Sequence, residues 1–207
     1  MAYGFLDIAG TPSVRAAQVA MGSDRLWTGR EFHRDFDRFT PQETEFIGER
    51  DTFYMATVSE TGWPYVQHRG GPRGFLKVVD ERTLAFADYS GNRQYISVGN
   101  VAADSRAALI LMDYPRRARL KVYAHVETVA PDADPALTAL VTVPGHKARI
   151  ERIIVLRLKA FDWNCPQHIT PRFTEAEIAE ATRPLRERLA ELETENAALR
   201  AGLVSQV

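Results

Sequence analysis

Between Thr52 and about Phe161, apolar residues fall in short runs cut by polar turns. TFYMATV, PYVQHR, GFLKVV, TLAFADY, AALILMDY, RLKVYAHVETV and RIERIIVLRLKAF are rich in Val, Ile, Phe, Tyr and Leu, the residues that fit a pleated surface, and they read as strands. The turns ETGWP, GGPRG and VDERT separate several of them. Many short strands at this spacing predict an antiparallel barrel or sandwich.

Helices frame this β region. Thr40 is a candidate cap, Pro41 suits the first helical position and Glu43 completes a capping box, so a helix is expected from there to about Glu49 or Arg50. Another interrupts the strands, with Asp134 as cap, Pro135 as first residue and Pro144-Gly145 as stop. Before Thr40 lies a leader with a short helix near Ser13 to Met21 and a polar stretch through Phe39.

The C-terminal end changes character. Thr174 to Glu177 is a second capping-box start, and Pro184 begins or kinks a longer helix. Leu185, Leu192 and Leu199 recur every seventh residue, with Leu189, Asn196 and Leu203 between them, a d and a seam with one polar a position. Arg188 and Glu193, and Glu195 and Arg200, are g–e′ pairs of opposite sign, as a parallel dimer requires. The same stripe is open to a second account, an amphipathic helix lying on its own barrel. The expected division is a leader over 1–39, a barrel domain over 40–170 and a helical extension over 171–207, in a fold that is mainly β with flanking helices.

Composition narrows the function classes. The net charge is −1, which argues against a general nucleic-acid binder. One cysteine cannot form an internal disulfide and fits a reducing compartment. The first residues lack a basic stretch followed by an apolar core, and no apolar run nears the ~18 residues of a membrane span. The expectation is a cytoplasmic protein with no membrane and no nucleic-acid partner.

Three basic stretches could handle an anion. In ADYSGNRQY the chain leaves a strand and enters a helix; Asp88, Tyr89, Ser90, Asn92 and Arg93 lie in this turn. Amides at a helix start attract phosphate and an arginine can clamp it, although S-G-N is also a common turn. The second stretch is Gln67-His68-Arg69-Gly70-Gly71-Pro72-Arg73, whose glycines allow close backbone approach. The third is Arg116-Arg117-Ala118-Arg119. Each alone reads as a solvated patch; on one barrel they could converge.

From Thr40 to Ile169 the order of elements resembles the pyridoxamine 5′-phosphate oxidase-like family, the FMN-binding split barrels: a helix, then RDTFYMATVSETGWPYVQHRGG, the core GFLKVV to ILMDY, then RLKVYAHVE. The resemblance implies an antiparallel split β-barrel, FMN, and a homodimer with the flavin at its interface. It places Arg93 at the basic phosphate position and matches Asn100 to an Asn-containing loop. Departures separate the chain from the oxidase itself. Gln67 stands where the oxidase has an arginine, beside His68 and Arg69; Gly91 replaces a serine; Ala118-Arg119 replaces an Arg-Gln pair. The elements that close the oxidase's pyridoxal site have no match, so vitamin B6 chemistry is not implied. The WNCPQHI ending looks like that of a flavin-binding subgroup of the superfamily. In these terms Arg93 and Asn92 hold phosphate, Gln67, His68 and Arg69 meet the flavin's polar edge, and Tyr65, Tyr89 and Trp163 are wall candidates that would otherwise be core.

The lone cysteine sits in DWNCPQH. Zinc would need more ligands than Cys165 and His168, and the other histidines are scattered, so no metal is expected. A nucleophilic thiol would need an oriented base, which Pro166 permits without compelling. With the family resemblance, Asn164, Gln167 and His168 become polar donors toward a partner's flavin, with Cys165 packing beneath. The expected function is FMN-dependent transfer of hydride or electrons to or from an unidentified small molecule, with no catalytic residue named. The alternatives are a flavin or heme carrier or sensor without turnover, a deazaflavin-dependent reductase, and an interaction protein whose coiled coil recruits a partner.

Overall fold

A computed structural model of the chain describes residues 4–27, 37–163 and 166–204. Seven strands form one antiparallel sheet: β1 Thr52–Val58, β2 Pro64–Gly70, β3 Lys77–Asp80, β4 Thr83–Tyr89, β5 Arg106–Asp113, β6 Ala118–Val129 and β7 Ile150–Trp163. Their order is β2-β1-β5-β6-β7-β4-β3, with β2 and β3 as unpaired edges. This is a curled, unclosed sheet, the split barrel that the family resemblance implied, where the strand pattern left barrel and sandwich open. All seven runs are strands, and GFLKVV differs most: only Lys77 onward joins the ladder, while Phe75 and Leu76 are buried before it.

Alternation explains the core. In β1, Phe53, Met55 and Thr57 turn inward; in β5, Ala107, Leu109 and Leu111 do so. These meet Leu120, Val122, Val126, Leu156 and the rings of Phe75 and Phe86 in one cluster. Phe53 stacks on Phe75 and meets Phe86 edge-on, and burying a ring of this kind stabilises by roughly 2–3 kcal/mol. A register shift between Tyr123 and Ala124 bends the long β6–β7 ribbon, as a bulge does, and helps the sheet curl.

Helix α4 (Pro41–Gly48) starts as its sequence predicts. Thr40 Oγ1 accepts from the Gln42 amide, and Glu43 Oε2 accepts from the Thr40 amide at 2.9 Å. Glu43 is buried, and its other oxygen accepts from Trp163 Nε1 at 2.6 Å, tying the helix to β7. Gly74 lies at φ +74, and a Cβ there would stand 2.9 Å from the Gly48 carbonyl oxygen, so only glycine fits this crossing.

The leader is more structured than its polarity predicts. Helices α1 (Phe5–Ala9), α2 (Pro12–Ala20) and α3 (Asp24–Trp27) occupy it, and buried Phe5 stacks on Tyr123 at 4.4 Å between centroids. Helix α5 (Ile96–Ala103) follows β4, and α6 (Pro135–Val141), capped by Asp134 through the Leu137 amide, precedes β7. The chain divides into two compact units, Met1–Asp113 with Arg117–Gln167 and Tyr114–Arg116 with His168–Val207. The second contains α7 (Glu175–Val204), started by Thr174 and Glu177 as expected and continuing through Pro184. Among the described residues no helix is long and apolar enough to cross a membrane.

Candidate functional site

Successive residues of β2 point to opposite sides, so Tyr65, Gln67 and Arg69 share one face while Val66 and His68 share the other. The first three line a cavity of about 240 Å³ with Asp88 and Tyr89 from the end of β4, the 91–95 turn, the first turn of α5 and Glu151 of β7. β2 and β4 are not ladder neighbours, and only the curl of the sheet makes them meet. Arg69 Nη1 donates to Asp88 Oδ1 at 2.6 Å and Arg152 Nη1 donates to Asp88 Oδ2 at 2.8 Å. A carboxylate buried this deeply costs several kcal/mol unless paired, and two guanidiniums pair it here.

Around this core the polar groups interlock. Arg152 Nη2 donates to Glu151, whose other oxygen accepts from Tyr95 Oη at 3.2 Å, and the Arg152 guanidinium lies 4.8 Å from the centre of the Tyr95 ring. Ser97 Oγ donates to Gln67 Oε1 at 2.9 Å, joining α5 to β2. Burial pushes the Tyr89 hydroxyl above its ordinary pKa. The Tyr95 hydroxyl, and then Glu151, hold the exposed Arg93 guanidinium more firmly in its charged form.

The entry to α5 has left-handed backbone and no side-chain cap. Its N-cap, Tyr95, has φ 53 and gives no side-chain cap bond, and Arg93 two residues earlier has φ 61. Left-handed backbone costs about 1 kcal/mol or more in a non-glycine residue and collects at ligand sites. Ile96, Ser97 and Val98, the first turn of the helix and so the positive end of its dipole, line the cavity. Among the described residues two buried side-chain nitrogens have no hydrogen-bond partner, Arg69 Nε and Arg119 Nε. Arg69 and the first turn of α5 line the same cavity.

Of the residues singled out from sequence, Tyr65, Gln67, Arg69, Asp88, Tyr89, Asn92 and Arg93 come together here. Ser90 sits between two lining residues, with its amide donating to the Arg149 carbonyl. The others lie elsewhere. His68 is on the opposite face of β2, bonded to Thr52 Oγ1. Asn100 is buried, donating to Thr57 Oγ1 at 3.0 Å. Arg119 stands opposite Met112 in the β5–β6 ladder. Trp163 packs edge-on against Phe46 beside its bond to Glu43. Gln167 is exposed, and His168, at φ 62, belongs to the second unit. Asn164 and Cys165 lie outside the described residues. The glycines after Arg69 make room for the chain's own side chains: a Cβ on Gly70 would meet the His68 ring at 2.9 Å and one on Gly71 the Phe75 ring at 2.7 Å.

Arg152, Glu151, Tyr95 and Ser97 escaped the sequence reading. The one signal was the cluster Arg149, Glu151 and Arg152 directly ahead of the apolar run Ile153-Ile154-Val155-Leu156. Among the described residues no group of three or more His, Cys, Asp or Glu could hold a metal ion.

A family model described as pyridoxamine 5′-phosphate oxidase matches residues 39–156. No curated protein matches the chain. Solved structures that resemble it include a Clostridium acetobutylicum protein related to general stress protein 26 (14% identity, 66% of this chain and 94% of that one, TM-score 0.44). An FMN-binding protein from Syntrophomonas wolfei gives 12%, 74% and 95% coverage, and TM-score 0.42. An F420 reductase gives 25%, 59% and 98%, and 0.42.

Proposed function

The chain belongs to the pyridoxamine 5′-phosphate oxidase family, and from that premise we propose that the Arg69–Asp88–Arg93 cavity holds the phosphate end of a flavin, with FMN the expected cofactor. The observation that carries this is that Arg69 and Arg93 line one cavity with the first turn of α5, whose N-cap gives no side-chain bond. A phosphate oxygen here would meet charged guanidiniums and the positive end of the α5 dipole, and a hydrogen bond to a charged group is worth about 1.5–3 kcal/mol. Arg93 at the rim adds a second cation, and Asn92 and Gln94 add amide donors.

Bound flavin supplies hydride and electron chemistry at its ring, and the chain's part is binding and orientation. Asp88 fixes Arg69 and Arg152, so neither guanidinium must be ordered when the anion arrives. Gln67 is held by Ser97 with its amide nitrogen free to donate to a heterocycle edge. The reaction proposed is electron transfer between flavin and an unidentified small molecule, in the cytoplasm.

The homodimer belongs to this proposal. Ala56, Val58, Pro64, Ala108 and Tyr123 line an apolar groove of about 680 Å³, and Val58, Trp63 and Val66 are exposed beside it on β1, the β1–β2 turn and β2. A second copy would cover such a face. The deciding experiment is the visible spectrum and extracted-cofactor mass of the purified protein. Flavin absorbance with the mass of FMN is expected. A deazaflavin mass would change the cofactor, and colourless protein that fails to take up added FMN would overturn the proposal.

A further inference from the structure

Helix α7 runs unbroken from Glu175 to Val204, about 45 Å at 1.5 Å per residue. Ile178, Leu185, Leu192 and Leu199 lie seven apart at d, and Leu189 occupies an a position; they are 44 to 73% exposed. Four leucines at this exposure along one stripe are an unfinished interface, because a solvated helix gains nothing from placing them in register.

We propose that α7 is one strand of a parallel, in-register, two-stranded coiled coil whose other strand is α7 of a second copy of this chain. Charge complementarity selects that occupant. Arg188 at g meets Glu193 at e′, and Glu195 at g meets Arg200 at e′, so each of the two contacts joins opposite charges when the same sequence lies alongside in parallel. Asn196 at a adds direction. Against a second Asn196 its amide finds a partner, whereas an antiparallel mate sets it against a d-position leucine. Within one chain Arg188 is held only at the surface, by Glu191 at 2.8 Å. Pro184 falls at c, away from the seam, so the backbone bond it removes does not obstruct pairing.

The seam from Leu185 to Leu203 spans fewer than three heptads, marginal for free peptides. A dimer joined through the barrel would raise the local concentration of the mate and sustain it. To that extent the inference rests on the proposed homodimer, and the test separates them.

The experiment uses full-length protein with Cys165→Ser as background, adding Leu189→Cys or Asn196→Cys at the two a positions, or Thr194→Cys at the outward f position. Mass is measured by light scattering and disulfide formation on a non-reducing gel after mild oxidation. Cross-linking of most chains at both 189 and 196, with little at 194, is expected, since only parallel, in-register strands bring both pairs together. A dimer by mass that fails to cross-link at either a position overturns the coiled coil and leaves the barrel dimer standing. A monomer that does not cross-link overturns both. Cross-linking at only one a position, or fastest at 194, overturns the parallel register.

Discussion

Asp88 and Arg152 are partners twice over: they stand opposite each other in the β4–β7 ladder, and Arg152 Nη1 donates to Asp88 Oδ2 at 2.8 Å. The backbone pairing therefore sets the ion pair, and the other oxygen of Asp88 is left for Arg69 on β2. One carboxylate joins strands from distant places in the sheet and holds both arginines at the cavity wall.

Asp88→Asn should destabilise the fold by about 3 kcal/mol, since removing one member of a buried pair leaves uncompensated charge. Urea unfolding with an unchanged slope would measure it. A loss below roughly 0.5 kcal/mol, the scale of ordinary surface substitutions, would mean that the bridge does not hold the two strands.

Arg69→Met keeps the packing of the stem and removes the cavity-lining guanidinium together with its Asp88 pair, and Arg93→Ala removes the rim cation. Each should weaken FMN binding roughly tenfold or more, the scale of a charged hydrogen bond. Quenching of FMN fluorescence during titration reports the affinity directly. Wild-type affinity in both variants would move the phosphate out of this cavity.

Trp163→Phe separates a structural role from a flavin wall. The ring contact with Phe46 survives while the bond to buried Glu43 is lost, so stability should fall by about 1–3 kcal/mol. FMN affinity should not change. A selective loss of FMN in a variant of normal stability would return Trp163 to the site.

Asp104 supplies a pH handle. Its hydrogen bonds with Arg106, side chain first and backbone second, hold its carboxyl at about 2, below the ordinary 3.8. A depressed folded-state pKa favours the charged form, so this stability is fully present above about pH 4 and is lost as pH falls through about 2. The pair is fully exposed, and the effect is accordingly small. Asp104→Asn should flatten acid unfolding curves between those limits; curves that superimpose on wild type would remove Asp104 as a contributor.

The strand runs, the capping boxes at Thr40 and Thr174 and the stop after α6 were legible because local rules act within a few residues. Helices α1 and α3 were not, since Phe5 earns its burial from Tyr123 more than a hundred residues away. The cavity was half legible. Arg69, Asp88 and Arg93 showed as basic and turn chemistry in separate stretches, but the face that β2 presents inward depends on register. That register put His68 on the far side and gave Asn100 and Trp163 structural partners, Thr57 and Glu43.

By itself the sequence determined the antiparallel β architecture and the heptad stripe of α7, because strand alternation and helical periodicity are written in consecutive residues. Only the tertiary structure decided that Arg69, Asp88 and Arg152 form one cluster. Their strands meet through the curl of a seven-stranded sheet and the β4–β7 register, long-range pairings that no local spacing records.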